Sequence, residues 1–95
     1  MAIWQQRERY EGRAEILTES GDVVTAGSVR LWKVGGRRVR WGGTILVDRE
    51  IHDSSYRIRL ATGEGTAYMS LSEIAPPDAP RSFSLLIDGS GDAPF

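Results

Sequence analysis

His52 is the only side chain in this sequence whose ordinary pKa lies near neutrality, and it stands beside Asp53, Ser54 and Ser55. A base, an acid and a hydroxyl are the ingredients of nucleophilic hydrolysis. Four consecutive residues on one loop do not align as base, orienter and nucleophile, however, because such triads are assembled from separate elements. His52 therefore reads as a solvated loop residue, and no catalytic residue is assigned. One histidine and scattered carboxylates give no ligand spacing for a metal. The chain has 0 cysteines, which removes zinc-thiolate sites, iron-sulfur clusters and cysteine nucleophiles. Gly63-Glu64-Gly65 lacks the following helix that a phosphate-binding glycine loop needs, so no cofactor is expected. Glu11, Glu15 and Glu19 share one strand face and read as its wet side.

The aromatic residues offer a different chemistry. Trp32, Trp41, Tyr56, Tyr68, Met69 and Phe83 are the bulky side chains of the strands, and most of them must fill a core. Two tryptophans on one hairpin exceed what an ordinary small core needs, and a buried indole N–H wants a partner. Trp32, Trp41 and Tyr56 are therefore the candidate ligand-binding residues, lining one mouth of a barrel and suited to a small apolar or aromatic molecule. Arg30, Lys33, Arg37, Arg38, Arg40, Arg57 and Arg59 are the alternative surface, a cationic one of the kind that binds nucleic acid. The pI of about 5.8 argues against it, and no nucleic-acid partner is expected. Charge is unevenly spread: three Arg and five acids over residues 1–28, eight Lys/Arg and three acids over 29–60, one Arg and five acids over 61–95. Pairing between neighbouring strands is the reading preferred for this pattern, with the flanking acids set against Arg38, Arg40, Arg57 and Arg59.

The elements that must position these groups centre on Ser28 to Val47. Gly35-Gly36 lies between two alternating runs, and glycine accepts the positive φ of a primed two-residue turn, so a hairpin is predicted there. A two-residue turn sets Val34 opposite Arg37, Trp32 opposite Val39 and Arg30 opposite Trp41 on an aromatic face. Lys33 then lies opposite Arg38 and Leu31 opposite Arg40 on a cationic one. Around the hairpin, alternation predicts strands over Tyr10–Glu19, Val23–Val34, Arg37–Val47, Tyr56–Leu60, Thr66–Leu71 and Ser82–Ile87. Turns fall at Ser20-Gly21-Asp22 and Thr62-Gly63-Glu64-Gly65. The change of apolar parity between Val24 and Val29 predicts a bulge near Ala26-Gly27-Ser28, and Gly42-Gly43 predicts a barrel bend. Pro76, Pro77 and Pro80 make Ser72–Arg81 a stiff connection. Residues 1–9 are a loose lead-in, and 88–95 a tail ending in Phe95.

Six strands and no helical period give an all-β fold: a small antiparallel meander barrel of about six strands, with a compact β-sandwich as the alternative. At 95 residues the chain is one domain, 1–95. No apolar run of membrane-spanning length occurs and the first residues lack a signal peptide's apolar region, so the expected setting is cytoplasmic, with no membrane partner. A homo-oligomer stays open.

Four short signatures occur in order: Y-E-G-R-A-E-I from Tyr10, R-V-R-W-G-G-T-I from Arg38, T-G-E-G-T-A from Thr62 and G-S-G-D-A-P-F from Gly89. Together they resemble a family of small actinobacterial domains of unknown function, found alone or fused behind flavin-dependent monooxygenases. Members tend to carry a His-Phe-x-Pro-Ile-Asp-Gly stretch where this chain has Leu31-Trp32-Lys33-Val34-Gly35-Gly36, so only the turn glycine is kept. The resemblance implies a context of flavin enzymology or secondary metabolism and supplies no catalytic residue; because the ending is among the shared signatures, it also implies that Phe95 docks on the sheet, so that deleting Gly89 to Phe95 lowers the thermal midpoint by several degrees.

Three functional classes follow. The first is a small barrel that binds a ligand or a partner enzyme, accessory to monooxygenase or secondary-metabolite chemistry. The second is a cofactor-independent cyclase or isomerase that orients a reactive substrate in an apolar cavity. The third, ranked last, is a nucleic-acid-binding barrel.

Overall fold

Period-two alternation of apolar and polar residues runs through most of the chain, and each alternating stretch buries one face by closing on its neighbours. The computed structural model describes residues 7–35, 39–74 and 82–95. Six strands form: β1 (Arg7–Leu17), β2 (Val23–Val34), β3 (Arg40–Val47), β4 (Ser54–Arg59), β5 (Glu64–Ile74) and β6 (Phe83–Ser90). They close into an antiparallel barrel in the order β1-β2-β3-β6-β5-β4, as the fold class required. Two three-stranded meanders, β1-β2-β3 and β4-β5-β6, are sealed by the β3–β6 and β1–β4 pairings. The connection from β3 to β4 crosses the upper end of the barrel, and the tail after β6 lies at the lower end. No helix among the described residues is long and apolar enough to cross a membrane.

Alternation assigns most of the inward side chains correctly. Ala14, Ile16, Val29, Leu31, Trp41, Ile45, Val47, Ile58, Leu60, Ala67, Met69, Leu85 and Ile87 form one buried cluster, with Tyr10, Tyr56, Phe83 and Phe95 packed against it. Each fully buried aliphatic chain contributes roughly 1.5–3 kcal/mol against the entropy of ordering it. Val39, expected inward, is half exposed.

The central hairpin departs from expectation in its turn. β2 ends at Val34 and β3 begins at Arg40, so five residues, 35–39, connect them rather than two. Gly36, Arg37 and Arg38 lie outside the described residues. The ladder pairs Val34 with Arg40, Lys33 with Trp41, Trp32 with Gly42, Leu31 with Gly43 and Arg30 with Thr44. Trp32 is thus three positions from its expected partner Val39, an odd shift, and an odd shift exchanges faces. Trp41 joins Leu31 and Lys33 inside, while Trp32 and Arg30 point out. The predicted separation into an aromatic and a cationic face is replaced by an apolar interior and a mixed exterior.

Other boundaries move by less. The register shift on the first hairpin lies between Ile16 and Leu17, opposite Val23 to Thr25, and Ala26 to Ser28 pair without interruption. That shift lets the adjacent Ile16 and Leu17 both be buried. The β4–β5 turn is Leu60 to Gly63, closed by reciprocal main-chain hydrogen bonds of 2.7 and 3.3 Å, and β5 starts earlier than read, at Glu64. Ser72 to Ile74 still belong to β5, and the proline-bearing residues 75–81 lie outside the described residues, as do residues 1–6. Gly42-Gly43 does not interrupt β3, whose pairings with β2 and β6 run through both positions. Glycine is required there by close approach: a Cβ at Gly42 would strike the Ile87 carbonyl oxygen and one at Gly43 the Arg30 carbonyl oxygen.

Candidate functional site on the outer face of the barrel

The three residues expected to line a recess do not meet. Trp32 lies on the outer wall with 36% of its surface exposed, whereas Trp41 is 2% exposed in the core. Tyr56 is half-buried against that core, and its hydroxyl donates to the His52 carbonyl at 2.8 Å. The Trp41 indole lies on Gly89, whose missing side chain makes the space. It also reaches over Gly65 and donates from Nε1 to the Gly91 carbonyl at 3.2 Å. Trp41 is therefore a core residue with a satisfied N–H. The barrel axis is taken up by side chains, as the small circumference of six strands favours.

His52 is exposed, and Asp53 turns away from it to accept the Leu71 main-chain N–H at 3.0 Å, next to the register shift between Leu71 and Glu73. No triad forms. Among the described residues no group of three or more potential ligands gathers around a metal position. Buried Thr25 donates to Asp48 at 3.3 Å, and among the described residues no buried side-chain polar atom lacks a partner.

The exterior divides into two sides. On the side of β1 and β4, Arg59 pairs with Glu15 at 2.8 Å and Arg57 with Glu64 at 2.9 Å; Arg30 on β2 reaches Glu11 on β1 at 3.9 Å, and at the lower end Lys33 pairs with Glu8 at 3.0 Å. In each pair a cation of the central segment meets an acid of a flanking one; of the four arginines expected to pair, Arg57 and Arg59 do, Arg40 has no ion pair among the described residues, and Arg38 lies outside them. Such exposed pairs contribute at most about 1 kcal/mol each, so their weight is in neutralising the field. Titration of the whole chain with single-stranded DNA or RNA near physiological salt should give no binding tighter than about 100 μM, the weak non-specific limit. Salt-dependent sub-micromolar binding would contradict the assignment of these cations to internal pairs.

On the other side, β2, β3, β6 and β5 present apolar groups outward. One rung of the ladder runs Trp32, Gly42, Asp88, Tyr68, and the next runs Arg30, Thr44, Leu86, Ser70. Leu46 follows on β3. Leu46, Leu86 and Tyr68 are 51, 49 and 49% exposed. The Trp32 ring extends over Gly42, with Cζ2 3.5 Å from where a Cβ would stand, so the indole forms a flat platform on the wall. A recess of about 220 Å³ opens beside it, bounded by Arg9, Glu11, Arg30 and Leu31. A second recess, of about 500 Å³, lies on the same wall, bounded by Glu11, Arg13, Ser28, Arg30, Thr44 and Leu46; both recesses are open at the surface. Sequence reasoning expected Trp32 at the barrel mouth with Trp41 and Tyr56, and gave no outward role to Leu46 and Leu86. Their signal was present: each stands at an outward position between two buried residues, Ile45 and Val47 or Leu85 and Ile87. Comparison of the chain with family models, with curated proteins and with solved structures returned no match.

Proposed function

We propose that this domain is a non-catalytic binding module which docks a partner enzyme through the outer face of β2, β3, β6 and β5, as an accessory to monooxygenase or secondary-metabolite chemistry in the cytoplasm. The observation that carries the proposal is the two-sided exterior around a filled axis. Arg57 and Arg59 on one side are paired with Glu64 and Glu15, and the other side exposes Trp32, Leu46, Leu86 and Tyr68, with Arg30 and Asp88 in the rungs between them. Exposed tryptophan and tyrosine amid leucine are the side chains that dominate protein contacts. A cyclase or isomerase of the kind set out above needs an apolar cavity, and core side chains occupy the barrel axis, so the binding reading is the better supported. The monooxygenase context rests on the resemblance carried by the four signatures.

The test is calorimetric titration of the chain with a flavin-dependent monooxygenase. Micromolar binding is expected, weakened about 30-fold or more by Trp32→Ala, the effect of losing a central aromatic anchor. Arg57→Ala, on the ionic side, should leave it unchanged. Binding that is lost in Arg57→Ala and kept in Trp32→Ala would assign the contact to the wrong side, and no binding at all would remove the accessory role.

A further inference from the structure

β1 is paired on its second edge over only part of its length. The whole strand from Arg7 to Leu17 runs against β2, but β4 meets it at Glu15, Ile16 and Leu17 alone. β4 ends at Arg59, the partner of Glu15, and the chain turns away at Leu60. Among the described residues no main-chain hydrogen bond reaches Glu8 to Ala14 from that side. A recess of about 370 Å³ opens where the two strands part, bounded by Arg13, Ala14, Glu15, Arg59 and Leu60. Gly12 stands at an inward position between half-buried Tyr10 and buried Ala14, and yet it is exposed.

An unpaired strand edge is a template for another strand, and proteins guard such an edge with proline, lysine, a bulge or a charge that points inward. Tyr10 to Ala14 carries none of these. Its register with β2 is unbroken, and its inward residues Tyr10, Gly12 and Ala14 are uncharged. The open stretch is bounded below by Glu8, which pairs with Lys33, and above by Glu15, where β4 takes over.

The residues of this edge also select the strand that fits it. Glu11 and Arg13 face outward on either side of Gly12. Antiparallel pairing with β1 of a second copy, centred on Gly12, therefore sets Glu11 of each chain opposite Arg13 of the other. On the inner side the same register sets Tyr10 opposite Ala14 and Gly12 opposite Gly12, large against small. Centring on Glu11 would oppose Glu11 to itself and Arg9 to Arg13, which is repulsive. Centring on Tyr10 would oppose two Tyr10 rings on the side where Phe95 already lies at 5.9 Å. Both charged groups are accessible: the Glu11 side chain is 70% exposed and reaches Arg30 only at 3.9 Å, and Arg13 is exposed with no ion pair among the described residues.

We propose that the open edge of β1 is a homodimer interface, in which Tyr10 to Ala14 pairs antiparallel with the same residues of a second copy about a two-fold axis at Gly12. So short an edge makes a small interface, and the dimer forms in the micromolar range. The edge uses none of the residues Trp32, Leu46, Leu86 and Tyr68 through which a partner enzyme is proposed to dock, so the two contacts are tested separately.

Sedimentation equilibrium of the full chain across the micromolar range should show its mass rising from 10.5 kDa towards twice that value. Glu11→Arg and Arg13→Glu should each weaken the dimer about 10-fold or more, because each turns both attractive pairs into repulsive ones. The double variant Glu11→Arg/Arg13→Glu restores opposite charges and should bring the dimer back. Circular-dichroism melts confirm that the three variants fold. Amide hydrogen exchange of the parent is the readout that needs no substitution: exchange within Tyr10 to Ala14 should slow as concentration rises. A parent that stays monomeric, single variants that dimerise as it does, or a double variant no better than the singles would overturn the proposal. Tighter dimers of Arg13→Glu would assign the register centred on Glu11, and a dimer dissolved by Trp32→Ala would belong to the outer face; either result contradicts pairing about Gly12.

Discussion

Trp41→Ala should unfold or nearly unfold this domain. The indole is 2% exposed and spans the interior from β3 to Gly89 on β6 and Gly65 on β5, where no side chain is available to collapse into the space it leaves. Truncating a tryptophan in such a setting costs about 3–5 kcal/mol. The Gly91 carbonyl also loses its donor, which loosens the tail at its first point of attachment. Against a total stability of roughly 5–15 kcal/mol, the thermal midpoint should fall by about 12 °C or more for a domain of this size. Trp32→Ala, on the outer wall, should move it by no more than a few degrees. Circular-dichroism melts of the two variants decide the matter. Similar melts would show that both indoles occupy equivalent positions and that the ladder between β2 and β3 is wrong. A ligand titration that uses Trp41→Ala as its probe would report unfolding.

A comparable loss is expected for Gly43→Ala, through the main chain. Gly43 sits in mid-strand with φ 149°, and a Cβ there would overlap the Arg30 carbonyl oxygen on the neighbouring strand. The methyl group imposes two costs, a backbone conformation that residues with a side chain rarely adopt and the forced separation of β2 from β3. Each is worth about 1–3 kcal/mol. β3 is hydrogen-bonded on both edges, so the displacement is passed on to β6. The midpoint should fall by about 10 °C or more. Gly35→Ala is the control, because a Cβ at Gly35 meets nothing within 4 Å and the residue has ordinary φ. A Gly43→Ala variant that melts with its parent would contradict the close approach of the two strands.

How far the fold could be read from the sequence follows from where each signal resides. Alternation is local, so Ile16, Val29, Ile45, Leu85 and Ile87 announce their inward faces within a few residues and the all-β class follows. The turn between β2 and β3 was less legible. Gly35-Gly36 satisfies the positive φ of a two-residue turn, but nothing in the pair obliges the strands to extend up to it. Burial of Trp41 decides the register, and the space for its indole is supplied by Gly65 and Gly89, 24 and 48 residues away. The first hairpin illustrates the same limit. Thr25 and Gly27 are buried while Val24 beside them is only half so, because Thr25 finds Asp48 across the barrel end, and a reading based on apolar residues alone misplaces the bulge. Charge pairing was legible in the segment totals, since only neighbouring strands can neutralise a cationic centre with acidic flanks. Docking of Phe95 was anticipated from the resemblance of its segment, whereas its hosts Tyr10 and Lys33 are assembled only by closure. The candidate ligand residues were misjudged for one reason throughout: an odd error in register sends Trp32 and Trp41 through opposite sides of the same wall.

Those two indoles provide the most direct measurement. In a nitrogen-15 proton correlation spectrum of the full chain, the indole N–H signals of Trp32 and Trp41 report the outer wall and the interior respectively. On addition of a flavin-dependent monooxygenase, the proposed partner class, the Trp32 signal should shift or broaden together with the amides of Thr44, Leu46, Tyr68 and Leu86. The Trp41 signal should stay where it is, held by the Gly91 carbonyl. A response confined to Trp41 and the core amides of Ile58 and Met69, with Trp32 unmoved, would contradict an exterior site and locate the binding inside the barrel.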